Sequence, residues 1–198
     1  STFLSPERGI FGVVRVGARP TGIAVSSDLK KAWVHNALDY TVSVVELRDD
    51  RLVESEVLTF ASSDLAPAVE RGRRLFYPAV DERLTQPTLG GVSCSSCHPD
   101  GRTDGLTWSL PNAITRFGSR AMRNTPALWR LPQTAPYAWN GSQADLPTFT
   151  THMVQEMGGD GLSRTELADV SSYLITLSPP DNPHQLDVAT SAHGAQVF

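Results

Sequence analysis

Cys94-Ser95-Ser96-Cys97-His98 is the run of residues with the most specific chemistry in the sequence. Two thiols at this spacing can each form a thioether with one vinyl group of a haem. The histidine after the second thiol can then bind the iron, because the tether leaves its imidazole little freedom to sit elsewhere. The stretch therefore predicts covalent haem c at Cys94 and Cys97, with His98 as an axial ligand of the iron.

Two other uses of a C-x-x-C pair remain open. The pair could form a redox disulfide of the thioredoxin type, or it could supply half of a zinc site. Zinc would need two further ligands at similarly tight spacing, but the sequence has no second cysteine pair. Its other histidines are scattered singly, at His35, His152, His184 and His193. Pro99, directly after His98, is also not typical of a helix that continues a catalytic C-x-x-C motif.

The composition is that of an ordinary globular chain. The 198 residues carry a formal net charge of -4, and 40% of them are hydrophobic. The one basic cluster, at Arg71, Arg73 and Arg74, predicts no nucleic-acid or anionic-membrane partner. No apolar stretch is long enough to be a transmembrane segment. Because haem attachment of this kind takes place outside the cytoplasm, we expect a periplasmic or extracellular protein whose export signal was removed or lies upstream.

The first 60 residues read as short strands. Runs rich in Val, Leu and Ile are separated by turn-forming pairs such as Arg19-Pro20 and Asp49-Asp50. The predicted strands are residues 13–16, 22–25, 32–35, 42–47 and 52–58.

The strand segment has the pattern of a known repeat. The run from Gly17 to Val25, then Trp33-Val34 and Thr41-Val42-Ser43-Val44, resembles one blade of a YVTN-type β-propeller. The resemblance implies further blades upstream, because a single blade cannot bury its own faces. A small antiparallel sheet packed on the next domain is the alternative interpretation of residues 1–60.

Helical spacing begins after a composition shift at Ala61. Ser62, Ser63 and Asp64 are typical helix-start residues, and the predicted helix ends before Pro78. Gly72 on this helix would let another helix cross closely. A second helix is predicted at residues 146–157, with Asp145 as a possible cap. A third helix is predicted to begin at the Ser163-x-x-Glu166 capping box. We expect the last of these to cross the first near Gly72.

The segment after the haem motif is a polar turn. Asp100 and Asp104 in it could be calcium ligands, although aspartate is also a common turn residue. Trp108 and Leu110, which come next, are expected to flank the macrocycle. Residues 111–147 contain several prolines and little periodicity, which predicts a long ordered loop.

This predicted loop carries a second family signal. Arg123-Asn124-Thr125-Pro126-Ala127-Leu128, followed by Thr134-Ala135-Pro136-Tyr137-Ala138-Trp139-Asn140-Gly141, resembles a segment of the MauG and bacterial di-haem cytochrome c peroxidase family. In that family the loop wraps the haem, which implies that Tyr137 contacts the cofactor. Arg123 or Arg130 could pair with the haem propionates. Ala138 stands where family members usually carry a histidine.

The helix predicted at residues 146–157 offers candidates for the sixth iron ligand, at His152, Met153 and Met157. In the same family this ligand lies at the end of the corresponding helix, just before a glycine. Met157 followed by Gly158 matches that position, so the resemblance implies Met157. Methionines that fill gaps around an apolar cofactor, and an open or water-bound iron, remain alternatives.

These observations predict an α+β chain with segregated parts. Residues 1–60 form an antiparallel β segment like a propeller blade, and residues 61–178 form a mainly α, cytochrome c-like haem domain. Residues 179–198 are a linker and the possible start of a second haem domain, because Gly194-Ala195-Gln196-Val197-Phe198 repeats the pattern of Gly72 to Phe76.

The predicted function is electron transfer. Axial ligation by His98 and Met157 would leave no vacant iron position, so the haem would exchange electrons with a redox partner protein or a second haem domain. One alternative is the electron-feeding half of a di-haem peroxidase or MauG-like oxidase. Another is a zinc-binding or disulfide-stabilised binding module associated with a propeller.

Overall fold

The chain contains both antiparallel sheets and helices, so its fold class is α+β. A computed structural model describes residues 12–48, 51–86, 91–114, 120–181 and 187–197. The N-terminal part is made of strands: β1 (Pro20–Val25), β2 (Lys31–Asn36), β3 (Thr41–Arg48) and β4 (Arg51–Thr59). Helices and a hairpin follow: α1 (Pro67–Phe76), α2 (Cys94–Cys97), β5 (Thr107–Ile114), β6 (Arg120–Asn124), α3 (Leu146–Glu156), α4 (Arg164–Leu174) and α5 (Val188–Val197).

The four N-terminal strands form one antiparallel sheet in the order β1-β2-β3-β4. The central strands β2 and β3 pair without interruption, with Trp33 opposite Val44. Successive side chains of a strand point to opposite faces, and on one face of β2 Ala32 and Asn36 are buried. Four of the five predicted strands are confirmed.

The strand predicted at residues 13–16 is wrong, because the backbone there has no regular structure. Just after it, the Ala18 N–H donates to the Asp39 carboxylate (2.6 Å), and the Ala18 carbonyl accepts from the Leu38 N–H (3.2 Å). These bonds join the chain to the turn between β2 and β3. The strand was predicted from a run of apolar residues, and such a run does not show which groups form hydrogen bonds with its backbone.

Charged side chains of α1 hold the turn between β2 and β3. Arg74 donates to the Asp39 carboxylate (2.8 Å) and to the Leu38 carbonyl (2.5 Å). Arg73 donates to the Tyr40 hydroxyl (2.9 Å), and its guanidinium lies 5.6 Å from the centre of that ring. The sheet is therefore fixed to the helical part largely through polar contacts at one turn.

Helices α1 and α4 cross at Gly72, as predicted. A Cβ at this position would lie 1.9 Å from the backbone oxygen of Asp169, so glycine is required for the close approach. Beside the crossing, Arg71 donates to both oxygens of the Asp169 carboxylate (2.7 and 2.8 Å). The buried core packs around these helices and consists of Leu75, Phe76, Leu128, Leu131, Leu146, Val170, Tyr173 and Leu174.

Local sequence signals set the helix boundaries. α1 begins at Pro67, later than predicted, because proline in the first turn needs no backbone donor. Asp145 caps α3 as predicted by accepting from the Thr148 N–H (2.8 Å). The predicted capping box of α4 is also present, with the Ser163 N–H donating to the Glu166 carboxylate (2.8 Å).

The loop predicted for residues 111–147 is wrong in its first part, where β5 and β6 form an antiparallel hairpin. Trp108 of β5 lies opposite Arg123 of β6. The pairing is irregular in the part of β5 that contains Pro111. Proline has no backbone N–H to donate to a neighbouring strand, so Pro111 hid the strand from a prediction based on sequence.

The C-terminal part, predicted as a linker and the possible start of a second haem domain, contains a helix. Helix α5 spans Val188–Val197, and its residues are exposed. Phe198, the last residue of the repeated pattern, lies outside the described residues. The start of a second haem domain stays a prediction. Among the described residues, no helix has the length and apolar character needed to cross a membrane.

Candidate functional site

The motif from Cys94 to His98 lies on one short helical turn, α2. The Ser93 N–H donates to Ser96 Oγ (3.0 Å), and the Ser96 N–H donates to the Ser93 carbonyl (3.0 Å), which caps the turn. The His98 N–H donates to the Cys94 carbonyl (2.9 Å) at its other end. Two thiols and an imidazole thus leave the backbone within a single turn.

Both cysteines are free and half-buried. Cys94 packs against the hydrophobic core, and this burial raises the pKa of its thiol to about 11. Burial, and secondly the negative charge of Asp104, raise the pKa of Cys97. Neither thiol therefore has the stabilised thiolate that an attacking redox cysteine requires.

The imidazole of His98 is half-buried, and its Nδ1 atom is fully buried without a hydrogen-bond partner among the described residues. Burial lowers the pKa of His98 below its ordinary value. The backbone carbonyls of Arg102 and Pro126 and the charge of Asp104 oppose this shift. The net result is a neutral ring at neutral pH.

Trp108 and Arg123 lie beside the motif, on the hairpin. Asp104 makes the connection: its N–H donates to the Cys97 carbonyl (3.1 Å), and its carboxylate accepts from Trp108 Nε1 (2.9 Å). Arg123 is the cross-strand neighbour of Trp108, so the two side chains share a face of the hairpin. Arg123 donates to the Met122 carbonyl (2.9 Å) and forms no ion pair within the part of the chain that the structure describes.

Tyr137 holds the loop against α3. Its hydroxyl donates to the Leu131 carbonyl (3.1 Å), and its ring stacks on Phe149 with 6.1 Å between the centres. Its N–H donates to the Gln143 carbonyl (2.7 Å). These contacts explain why a tyrosine occupies this position, and its contact with a cofactor stays a prediction.

Met157 is half-buried directly after α3. Its carbonyl accepts from the Gln86 N–H (3.2 Å), and Gly158 follows with a positive φ of 72°. The turn that carries the methionine is thereby fixed to the loop before the haem motif. The other two ligand candidates, His152 and Met153, lie within α3, where His152 Nε2 is 3.8 Å from Glu156 Oε1.

The two predicted calcium ligands have protein partners. Asp104 binds Trp108 as described above, and Asp100 Oδ1 accepts from Arg19 (2.7 Å) and from the Tyr77 hydroxyl (3.2 Å). The sequence did not reveal the contact with Arg19, because no local spacing rule relates residues from separate elements. The described residues contain no group of three or more His, Cys, Asp or Glu placed to hold a metal ion.

Comparison with known proteins gives a likeness of fold and no family. No protein-family model and no curated protein matches the chain. A structure of hydrazine synthase from Kuenenia stuttgartiensis, pressurised with xenon, is similar to it, with a TM-score of 0.53 and 19% sequence identity. The match covers 69% of this chain and 46% of that chain, so this sequence spans less than half of the neighbour. At this identity the likeness shows a shared fold alone.

Proposed function

We propose that the chain is a c-type cytochrome module that carries one covalent haem and transfers electrons. The proposal is carried by Cys94, Cys97 and His98, which place two free thiols and an imidazole on one turn beside the core. A zinc site needs more ligands than the described residues bring together. A redox dithiol needs a lowered thiol pKa, whereas burial raises that of Cys94.

The surroundings of His98 support its role as an iron ligand. Burial lowers the pKa of His98 below its ordinary value, so the neutral imidazole is favoured. A proton on the buried Nδ1 leaves the lone pair of Nε2 available to a metal. The donor set therefore fits an axially bound iron.

An exposed apolar patch beside the motif also supports the proposal. Leu106 is 54% exposed, Trp108 is 43% exposed and Trp139 is 62% exposed. All three lie at the base of the hairpin, where Trp139 Nε1 donates to the Asn124 carbonyl (3.3 Å). Large apolar side chains left exposed beside the motif indicate a surface that something covers. A flat apolar macrocycle tethered at Cys97 would cover it.

The proposal assigns roles to three further residues. Arg123, with its guanidinium free of carboxylates in the described structure, pairs with a haem propionate. Met157 would be the sixth ligand, and Tyr137 supports the loop through its hydrogen bond to the Leu131 carbonyl. A haem with these ligands supplies reversible one-electron chemistry, which requires a redox partner protein or a second haem domain. The proposal includes a periplasmic or extracellular location, where such haem attachment takes place.

The proposal also includes the finer fold assignment. Residues 61–178 form a cytochrome c-like domain, and residues 1–60 form a propeller-like blade or a small antiparallel sheet. The crossing of α1 and α4 at Gly72, around which the helical core packs, supports a compact helical domain. The likeness to hydrazine synthase supports only a shared architecture.

An absorption spectrum after acid-acetone extraction tests the proposal. The wild type, the double variant C94A/C97A and the matched control S95A are produced in a host with a cytochrome c maturation system. We expect extraction-resistant Soret absorption in the wild type and in S95A, and none in the double variant, because thioethers survive extraction. If the wild type shows no Soret absorption after extraction, the proposal is overturned. Retained but high-spin haem would favour the peroxidase-type alternative.

A further inference from the structure

An ion pair joins the N-terminal sheet to the turn that follows the proposed iron ligand. Arg19 Nη2 lies 2.7 Å from Asp100 Oδ1, and the two side chains are 27% and 67% exposed. Asp100 is the middle residue of a short 3-10 turn, Pro99–Gly101, and the Gly101 N–H donates to the His98 carbonyl (3.0 Å). The carboxylate of the pair therefore lies on the turn attached to His98.

The guanidinium of Arg19 is held from several sides. Its Cζ atom lies 3.8 Å from the centre of the Tyr77 ring, and the Tyr77 hydroxyl donates to the same Asp100 oxygen (3.2 Å). The Arg19 carbonyl accepts from the Ala37 N–H (3.0 Å), which fixes its backbone to the sheet. Stacking on an aromatic ring and a directed ion pair suit the planar guanidinium better than an ammonium.

The backbone of Asp100 adopts a conformation that needs support from its surroundings. Its φ is 49°, in the left-handed region that non-glycine residues rarely occupy. Next to it, a Cβ at Gly101 would lie 3.0 Å from the Leu177 side chain, so the turn is pressed against the end of the core. The position of the Asp100 charge relative to His98 is therefore fixed.

We propose that Arg19 is a positioning residue that neutralises Asp100 beside the haem and thereby sets the haem's reduction potential. This inference rests on the proposed function. Reduction adds an electron, so an unpaired negative charge nearby opposes it and an unpaired positive charge favours it. Loss of Arg19 alone exposes the iron to the charge of Asp100, and loss of Asp100 alone exposes it to the charge of Arg19.

A redox titration of the haem-loaded chain tests this inference. We compare the wild type, R19Q, D100N, the double variant R19Q/D100N and the conservative variant R19K. The potential is expected to fall in R19Q, to rise in D100N, and to return towards the wild-type value in the double variant. R19K keeps the charge and should stay near the wild type. High salt should shrink both single shifts, because the pair is partly exposed.

The outcomes separate this inference from the function on which it rests. A wild type without extraction-resistant haem contradicts the proposed function. A wild type with haem, but with R19Q and D100N shifting the potential in the same direction or not at all, overturns the role of Arg19 alone. Shifts in the same direction would mean that the pair only stabilises the turn. If R19Q folds poorly, D100N still tests the inference, because it alters only a side chain that is 67% exposed. A potential that does not rise in D100N would then overturn the role of Arg19.

Discussion

Gly72 is the residue with the strictest steric requirement in the helical core. Replacing it with alanine would place a Cβ 1.9 Å from a backbone oxygen of α4, which no side-chain movement can relieve. We expect Gly72→Ala to lower the free energy of unfolding by about 3 kcal/mol or more, as overpacking against rigid backbone does. Urea unfolding measures the loss. Gly194→Ala, in α5 with open space around it, is the control and should cost nothing.

Asp169 gives the core a predictable dependence on pH. Its side chain is only 7% exposed, and the hydrogen bonds from Arg71 lower the pKa of its carboxyl below the ordinary value of about 3.9. A group whose pKa is lowered by folding stabilises the folded state above its ordinary pKa, and this stabilisation is lost as the pH falls through the lowered pKa.

Asp169→Asn should therefore be less stable than the wild type at pH 7, and the gap should narrow as the pH is lowered below about 4. Urea unfolding at a series of pH values measures this difference. Arg71→Gln should reproduce the trend, because it removes the partner that lowers the pKa. An equal gap at neutral and acid pH would show that the ion pair is not its cause.

At the scale of elements, the end of α3 determines the proposed ligation of the iron. The turn at Met157 is fixed to the loop at Gln86, and the helix is capped at its start by Asp145. We expect Met157→Ala to open the sixth position, so that the reduced protein binds carbon monoxide. Absorption spectra with and without the gas measure this. Met153→Ala, in the same helix, is the matched control and should stay unreactive.

Three results would contradict Met157 as the sixth ligand. Carbon monoxide binding by the wild type would exclude a methionine-ligated iron. Binding by Met153→Ala and not by Met157→Ala would move the ligand one turn up the helix. Reactivity of neither variant would point to His152 or to another donor.

Elements with strong local signals could be predicted from the sequence, and those defined by distant partners could not. The β-rich runs, the Asp145 cap and the Ser163 capping box each depend on residues within one element. The hairpin depends on Trp108 meeting Arg123, and Pro111 interrupts the strand signal. The site shows the same division: the Cys94 to His98 motif is local, whereas Trp108 and Arg123 are brought beside it by the pairing of β5 with β6.

In the whole molecule, polar contacts connect the N-terminal sheet to the helical part. Arg74 of α1 holds the β2–β3 turn through Asp39 and Leu38, and Arg19 reaches from the sheet to Asp100. The sequence indicated two parts with different composition. It did not indicate how they dock, because ion pairs between parts leave no periodic pattern.

Arg74→Ala should loosen the sheet from the helices. It removes the hydrogen bond to the Leu38 carbonyl and the ion pairs with Asp39 and Glu70, and we expect a loss of about 1 kcal/mol given the partial exposure. Hydrogen exchange should quicken in the sheet more than in α4. Arg48→Ala, whose partner Glu46 lies on the same strand, is the control and should leave exchange unchanged. Uniform quickening throughout would mean that the two parts unfold together.

An intact-mass spectrum under denaturing, reducing conditions shows whether Cys94 and Cys97 hold a haem through covalent bonds. The chain is purified from a host that matures c-type cytochromes. We expect the mass of the polypeptide plus one haem for the wild type, and the mass of the polypeptide alone for C94A/C97A. A wild-type chain at the polypeptide mass, with both thiols open to alkylation, would contradict it.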